Sequence, residues 1–358
     1  MGAGLEVLTR SAKRSYEERK ITSQKGIDTL LFPVPDIDIS SSFLLDTYIS
    51  NPYAVAYVDP SNQSVVREFK NGSGQLVTPP IAKAKTPIDE SLRDQITSGQ
   101  EATASQVMQT ASKVDRIIGD HLEGHAMTKW YQALNVVRTG IFTALGKGGT
   151  DLGLNITYTR IAGNTLTYDF TATGATMAEA LKEPQDQLRS QNTPMSRNIC
   201  IMGQSWLTNF STDTNILELR KANTENVIVS SQMEAPELLG VQGLVIHSIL
   251  RDPAMVAPMW ICSFAPGSQY VPYEGATPED WIADTEAIFF SLDDRRYTVD
   301  RGIDAFNGAG QTVRVAGGIV ADSFNTDDPI TEIIRTQTRH AFVPGNINHT
   351  AKSTGTFE

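Results

Sequence analysis

The sequence predicts an α+β protein made of a long helix, a separate strand-and-helix region, and extended segments with no core of their own. Three observations predict it. One apolar stripe of helical period runs from about Glu101 to Leu145. Beyond Thr176 short strands alternate with short helices. The stretches from Leu30 to Tyr57 and from Ser64 to Pro79 fit neither pattern. At 358 residues the chain has apolar material for about two domains.

Composition narrows the class of partner. The net charge of −11 argues against a surface that tracks nucleic-acid phosphates, since such binding runs on Lys and Arg displacing counterions. Residues 1–25 depart from that balance, setting Arg10, Lys13, Arg14, Arg19, Lys20 and Lys25 against Glu6, Glu17 and Glu18; they read as a solvated amphipathic helix over 5–20, with a docking arm for an acidic partner as the alternative. No apolar run reaches the roughly eighteen residues of a membrane span, and the charged N-terminus lacks a signal peptide's apolar stretch. A cytoplasm-like compartment is expected. Cys200 in "NICIMG" and Cys262 in "MWICSF" sit in apolar strand-like runs, which suits buried free thiols.

From "LLFPVPDIDISSSF" to Tyr57, Pro, Asp and Ser break every periodicity, so this segment must lie extended on something else. "SVVREFK" and "QLVTPP" then flank "NGSG", where Asn71, Gly72 and Gly74 can supply the positive φ of a short β-connection. In that hairpin Val65, Arg67 and Phe69 alternate with Val66, Glu68 and Lys70, so charge falls on both faces. An isolated two-stranded ribbon is only marginally stable, so it reads either as completed by another surface, of this chain or a neighbour, or as an ordinary mobile surface hairpin.

The long helix carries Val107, Ala111, Val114, Ile118, His121 and His125 on one stripe, then Met127, Trp130, Leu134, Val137, Ile141 and Leu145 two residues out of phase. Either it bends near Gly119 and Gly124 or it buries different faces at its two ends. Gly146, Gly148 and Gly149 read as its C-cap and turn. "LNITYTRIAGNTLTYDF" reads as a hairpin turning at Gly163 and Asn164. Thr176 and Glu179 have capping-box spacing and open a helix that Pro184 should bend. Strand "NICIMG", helical "SWLTNF" and "TNILELRKAN", and strands "LVIHSIL", "PMWICSFAP" and "EAIFFSL" follow as a second domain. "TEIIRTQTRHAFVP" reads as a long strand and "GNINHTAKSTGTFE" as a tail.

Two motifs invite a catalytic reading and fail it. His121 and His125 in "GDHLEGHAMTKW" have the spacing of two zinc ligands, but a zincin needs Glu directly after the first His, and that place holds Leu122. A third ligand has no local candidate, so the pair reads as packed on a half-buried helical stripe. "GIFTALGKGGTDLG" imitates a phosphate-binding loop, yet it spaces Gly140 and Gly146 by five residues instead of four, has Gly148 where Ser or Thr should follow Lys147, and ends a helix instead of joining strand to helix.

The order of parts resembles the major capsid proteins of tailed phages with the Hong Kong 97-type fold, most of all the lambda-like branch. The local matches are "LVTPPIAKAKTP", similar to the return strand of the extended loop, "SRNICIMGQSWLTNF", similar to a strand followed by a Trp-containing turn, and "DPITEIIRTQTRHAFVPG", similar to the last peripheral-domain strand. The resemblance covers about 50–345 and rests on element order more than on any one motif. It implies an N-terminal arm at 1–56, an extended loop at 57–85, a peripheral domain with the spine helix at 86–175, an axial domain at 176–325, and a peripheral strand with tail at 326–358.

The function so implied is a subunit that self-assembles, as hexamers and pentamers, into an icosahedral head enclosing double-stranded DNA. It needs no cofactor, metal or catalytic residue. It works with itself and with scaffold, portal and decoration proteins, binds no membrane, and is assembled in the host bacterial cytoplasm into the virion. Negative charge suits a container for DNA. On this reading Val65, Arg67, Glu68, Phe69, Lys70, Leu76 and Val77 of the loop contact an adjacent subunit. The alternatives are the shell protein of a cellular nanocompartment and, from another class, a metal-dependent hydrolase using His121, His125 and a carboxylate such as Glu123, Asp120 or Asp115.

Overall fold

The apolar stripe forms one unbroken helix, Ala104–Thr139, in the computed structural model of the chain, which describes residues 25–46, 74–88, 104–222, 227–252, 255, 257–273, 275–306, 311–327 and 330–357. Val114, Ile118 and Leu122 pack with Ile88 and Ile334. Further on, Trp130, Ala133, Leu134, Val136 and Val137 join a core that takes in Val299 and Phe342 of one sheet and Ile199, Ile201, Ile288 and Phe290 of another. The phase change in the sequence therefore records what the helix packs against: one sheet first, then two. The helix stops at Thr139, short of Leu145, because Gly140 takes φ +77°, with its N–H on the Val136 carbonyl at 2.8 Å. A Cβ at Gly140 would sit 2.8 Å from the Tyr158 carbonyl oxygen. Gly146 to Gly149, expected as the helix C-cap, instead form a separate turn, with Gly148 and Gly149 at positive φ.

The first sheet is five-stranded. Val34–Ile37, Arg296–Asp300, Ile330–Pro344 and Ile319–Asp327 lie in that order, and Ile81–Pro87 pairs antiparallel with Ile330–Pro344 as well. Along the long strand Ile334, Thr336, Thr338, His340 and Phe342, all buried, occupy alternate positions, and Ile334 packs in the cluster of the spine helix. Val34–Ile37 is the extended segment expected to lie on something else: it runs parallel to Arg296–Asp300. The second sheet has six strands, in the order Thr165–Asp169, Thr350–Thr356, Glu286–Ser291, Asn198–Met202, Met259–Phe264 and Leu244–Leu250. Asn198–Met202 and Glu286–Ser291 are buried at every residue, since this sheet is covered on both faces. Cys262, Trp260 and Phe290 meet the spine-helix core on one face; Cys200, Met202 and Phe289 pack on the other with Leu181, Trp206 and Phe210 of the helices Met177–Ser190 and Gln204–Thr212. Thr176 caps Met177–Ser190 by accepting from the Glu179 N–H, and the helix runs on through Pro184.

Two expectations are corrected, those for the 154–170 hairpin and for the C-terminal tail. The return strand "QLV" pairs with Phe43–Asp46; "SVVREFK", and with it the expected pairing across "NGSG", lies outside the described residues. "LNITYTRIAGNTLTYDF" is no hairpin: Ile156–Thr157 pairs with Ile141–Phe142, while Thr165–Asp169 runs parallel to Thr350–Thr356. Buried Asn164 causes this split, its Nδ2 donating to the carbonyls of Asn348 (2.6 Å) and Thr350 (3.2 Å). The supposed tail is thus a strand of the second sheet. Within the expected axial span 176–325, residues from Arg296 onward pair into the first sheet, through Arg296–Asp300 and Ile319–Asp327. The hairpin Ile303–Phe306/Thr312–Val315 packs against the same sheet, where Gln337 Nε2 donates to the Asp304 carbonyl and Arg339 Nη1 to that of Gly302.

Candidate functional site

Phe43–Asp46 runs antiparallel to Gly74–Val77 as a two-stranded ribbon, which joins the segment expected as the arm to that expected as the extended loop. Its register sorts the side chains. Phe43 lies opposite Val77, and both are buried with Leu45 in the main core. Leu44 lies opposite Leu76, and the two are 65% and 71% exposed. A period of two puts alternate residues on opposite faces, so one face is anchored at home and the other presents a bare leucine pair. Arg301 fixes the anchor: its guanidinium stands 5.4 Å from the Phe43 ring centroid, Nη2 donates to Asp36 Oδ2 at 2.7 Å, and Nη1 to the Asp36 carbonyl at 3.1 Å. From Ile81 the chain enters the first sheet.

Of the expected contact residues, Val65, Arg67, Glu68, Phe69 and Lys70 lie outside the described residues. Leu76 faces outward. Val77 does not; opposite Phe43, it serves the subunit's own core. The sequence does not mark Leu44, because Phe43, Leu44 and Leu45 are all apolar and only burial separates them.

The histidines have structural partners. His121 Nε2 hydrogen bonds with Thr86 Oγ1 at 2.7 Å and His125 Nε2 with Thr336 Oγ1 at 3.0 Å. Burial pushes His121 down from the ordinary imidazole range, against Asp120, and His125 down to about 4. Among the described residues no group of three or more His, Cys, Asp or Glu could hold a metal ion.

The chain is an α+β subunit in which one long helix packs against two sheets. Residues 18–249, well over half of the chain, match the family model of phage major capsid protein E, and the chain belongs to that family. It is a major capsid protein that forms the phage head shell. The fold is the Hong Kong 97-type capsid fold. A crystal structure of a prophage capsid protein from Escherichia coli CFT073 is similar over 96% of this chain and 98% of that one, at 15% identity and a TM-score of 0.58. The capsid structure of cyanophage P-SCSP1u is similar over 94% and 90%, at 12% identity and a TM-score of 0.47. No curated protein matches the chain. The phage family does not favour the nanocompartment and hydrolase alternatives.

Proposed function

We propose that the ribbon at the base of the extended loop is an assembly contact, with the Leu44–Leu76 pair seated on a second copy of the subunit. The carrying observation is that two directly opposed leucines stay open to solvent while their neighbours Phe43, Leu45 and Val77 are buried at home. An exposed apolar pair gains by being covered, and repeated contacts in a shell supply the cover. The rest of the loop, with Val65, Arg67, Glu68, Phe69 and Lys70, continues this contact.

The six-stranded sheet and its helices form the axial unit, gathered into hexamers and pentamers, and the five-stranded sheet with the spine helix forms the peripheral unit. Scaffold, portal and decoration proteins join the shell, assembly takes place in the host bacterial cytoplasm, and the subunit performs no catalysis. The Leu44→Asp, Leu76→Asp double variant tests the contact. Circular dichroism and thermal melting should match the parent while electron microscopy shows few closed shells; normal particles would overturn the proposal.

A further inference from the structure

The joint between the spine helix and the first sheet is built around three histidines. His121 and His125 stand one turn apart on the helix, facing Thr86 of the strand Ile81–Pro87 and Thr336 of the long strand. His340 comes from the long strand itself, four residues beyond Thr336, and its Nε2 lies 2.5 Å from Gln132 Oε1 on the helix. Since that amide oxygen can only accept, Nε2 carries the proton, which leaves Nδ1 to accept from the Thr338 hydroxyl at 3.4 Å. Neutral His340 is thereby satisfied on both ring nitrogens. A second proton would put a donor on Nδ1 and a charge in a site 2% exposed, between Phe142 and Phe342.

The charged groups around the joint give little relief. On the helix, Asp120 favours the charged form of His121, Lys129 opposes charge on His125 and His340, and Glu123 is exposed. Asp300 of the strand Arg296–Asp300 is engaged by Lys129 Nζ at 3.0 Å. Lys85, Arg335, Arg339 and Asp322 occupy the alternate register positions, on the opposite face of the sheet from Thr86, Thr336 and His340. His125 and His340 oppose each other as well, should both be charged. Burial holds His340 well below the ordinary imidazole range.

We propose that this seam is an acid-released joint: protonation of His125 and His340 parts the spine helix from the long strand, while the six-stranded sheet keeps its packing. The joint lies within one chain, so the inference does not depend on the assembly contact. A group that is neutral when folded and protonated when unfolded makes unfolding take up a proton, which lowers stability as pH falls.

The test follows the urea midpoint of the full-length subunit from pH 7 to pH 5, for the parent and for a His125→Gln, His340→Gln double variant. Near pH 5 the parent should take up about two more protons on unfolding than the variant. Equal pH slopes would overturn the proposal. Amide hydrogen exchange of the unmodified protein, corrected for intrinsic rates, keeps the question open to refutation if the variant does not fold. Protection at 112–126 and 333–342 should fall between pH 7 and pH 4.5 and at pH 4.5 lie well below that at 198–202 and 286–291. Equal protection of the two groups at pH 4.5, or no loss in the first, would sink the idea.

Discussion

Arg138, at the end of the spine helix, donates from Nε to Glu286 Oε2 at 2.5 Å, and Lys352 Nζ reaches the other carboxylate oxygen at 2.5 Å. One side chain so ties together the helix and two strands of the six-stranded sheet. Glu286→Ala would leave two cations half-buried without a partner, and a loss of about 3 kcal/mol is expected in urea unfolding at pH 7.

The same carboxylate sets a pH window distinct from that of the histidines. Burial pushes Glu286 up, but hydrogen bonds from Arg138 and Lys352 outweigh it and hold the carboxyl below its usual range. A lowered folded value means its contribution is complete above the unfolded carboxyl range and is lost as pH falls through the folded one. His125, neutral down to about 4, acts earlier, costing stability from about pH 6.5 downward, by about 3 kcal/mol in all. Stability of the parent should thus decline in two stages on acidification, and Glu286→Gln should alter only the lower one.

Asn164 is fully buried and holds Thr165–Asp169 beside Thr350–Thr356 through two backbone carbonyls. Asn164→Ala removes both donors and should cost about 2 kcal/mol, read as a lower urea midpoint at pH 7 with the far-ultraviolet spectrum kept.

Legibility in the sequence followed range of interaction. The spine helix, the capped helix after Thr176 and the long strand "TEIIRTQTRHAFVP" were plain because their patterns are local and long. What failed depended on distant partners. "NINHTAKSTGT" has no apolar alternation, so it read as a tail; its strand is fixed by Asn164 and by Arg160, whose guanidinium hydrogen bonds with Thr350 and with the Val137 and Arg138 carbonyls at the helix end. No spacing in the chain announces such a bond. Charge on both faces marks Arg67, Glu68 and Lys70 in the sequence, whereas the alternating burial of Phe43, Leu44 and Leu45 is legible only with Gly74–Val77 opposite.

The two thiols offer a simple check on the sheet. Cys200 lies opposite Ile261, so Cys262 is its near neighbour on the adjoining strand, yet the two side chains belong to cores on opposite faces. Both are buried and free, and burial raises both thiols above the ordinary range. A thiol reagent should label neither in the native subunit at pH 8 and both in urea; rapid native labelling would show that the sheet is less covered than described.

Leu76 and Val77 are neighbours in sequence with opposite tasks, and one substitution in each separates the loop's two roles. Val77 lies opposite Phe43, within the main core, so Val77→Asp buries a carboxylate without a partner and should cost about 3 kcal/mol or more. Leu76, 71% exposed, can carry the same Asp in water, and its variant should unfold within about 0.5 kcal/mol of the parent. Assembly should then fail for different reasons: Val77→Asp through loss of folded subunit, Leu76→Asp with the subunit intact and the shell weakened. Urea unfolding of both variants beside sedimentation of their particles would read this. Equal destabilisation by the two substitutions would mean that both faces of the ribbon pack at home, and the assembly role would have to lie farther along the loop.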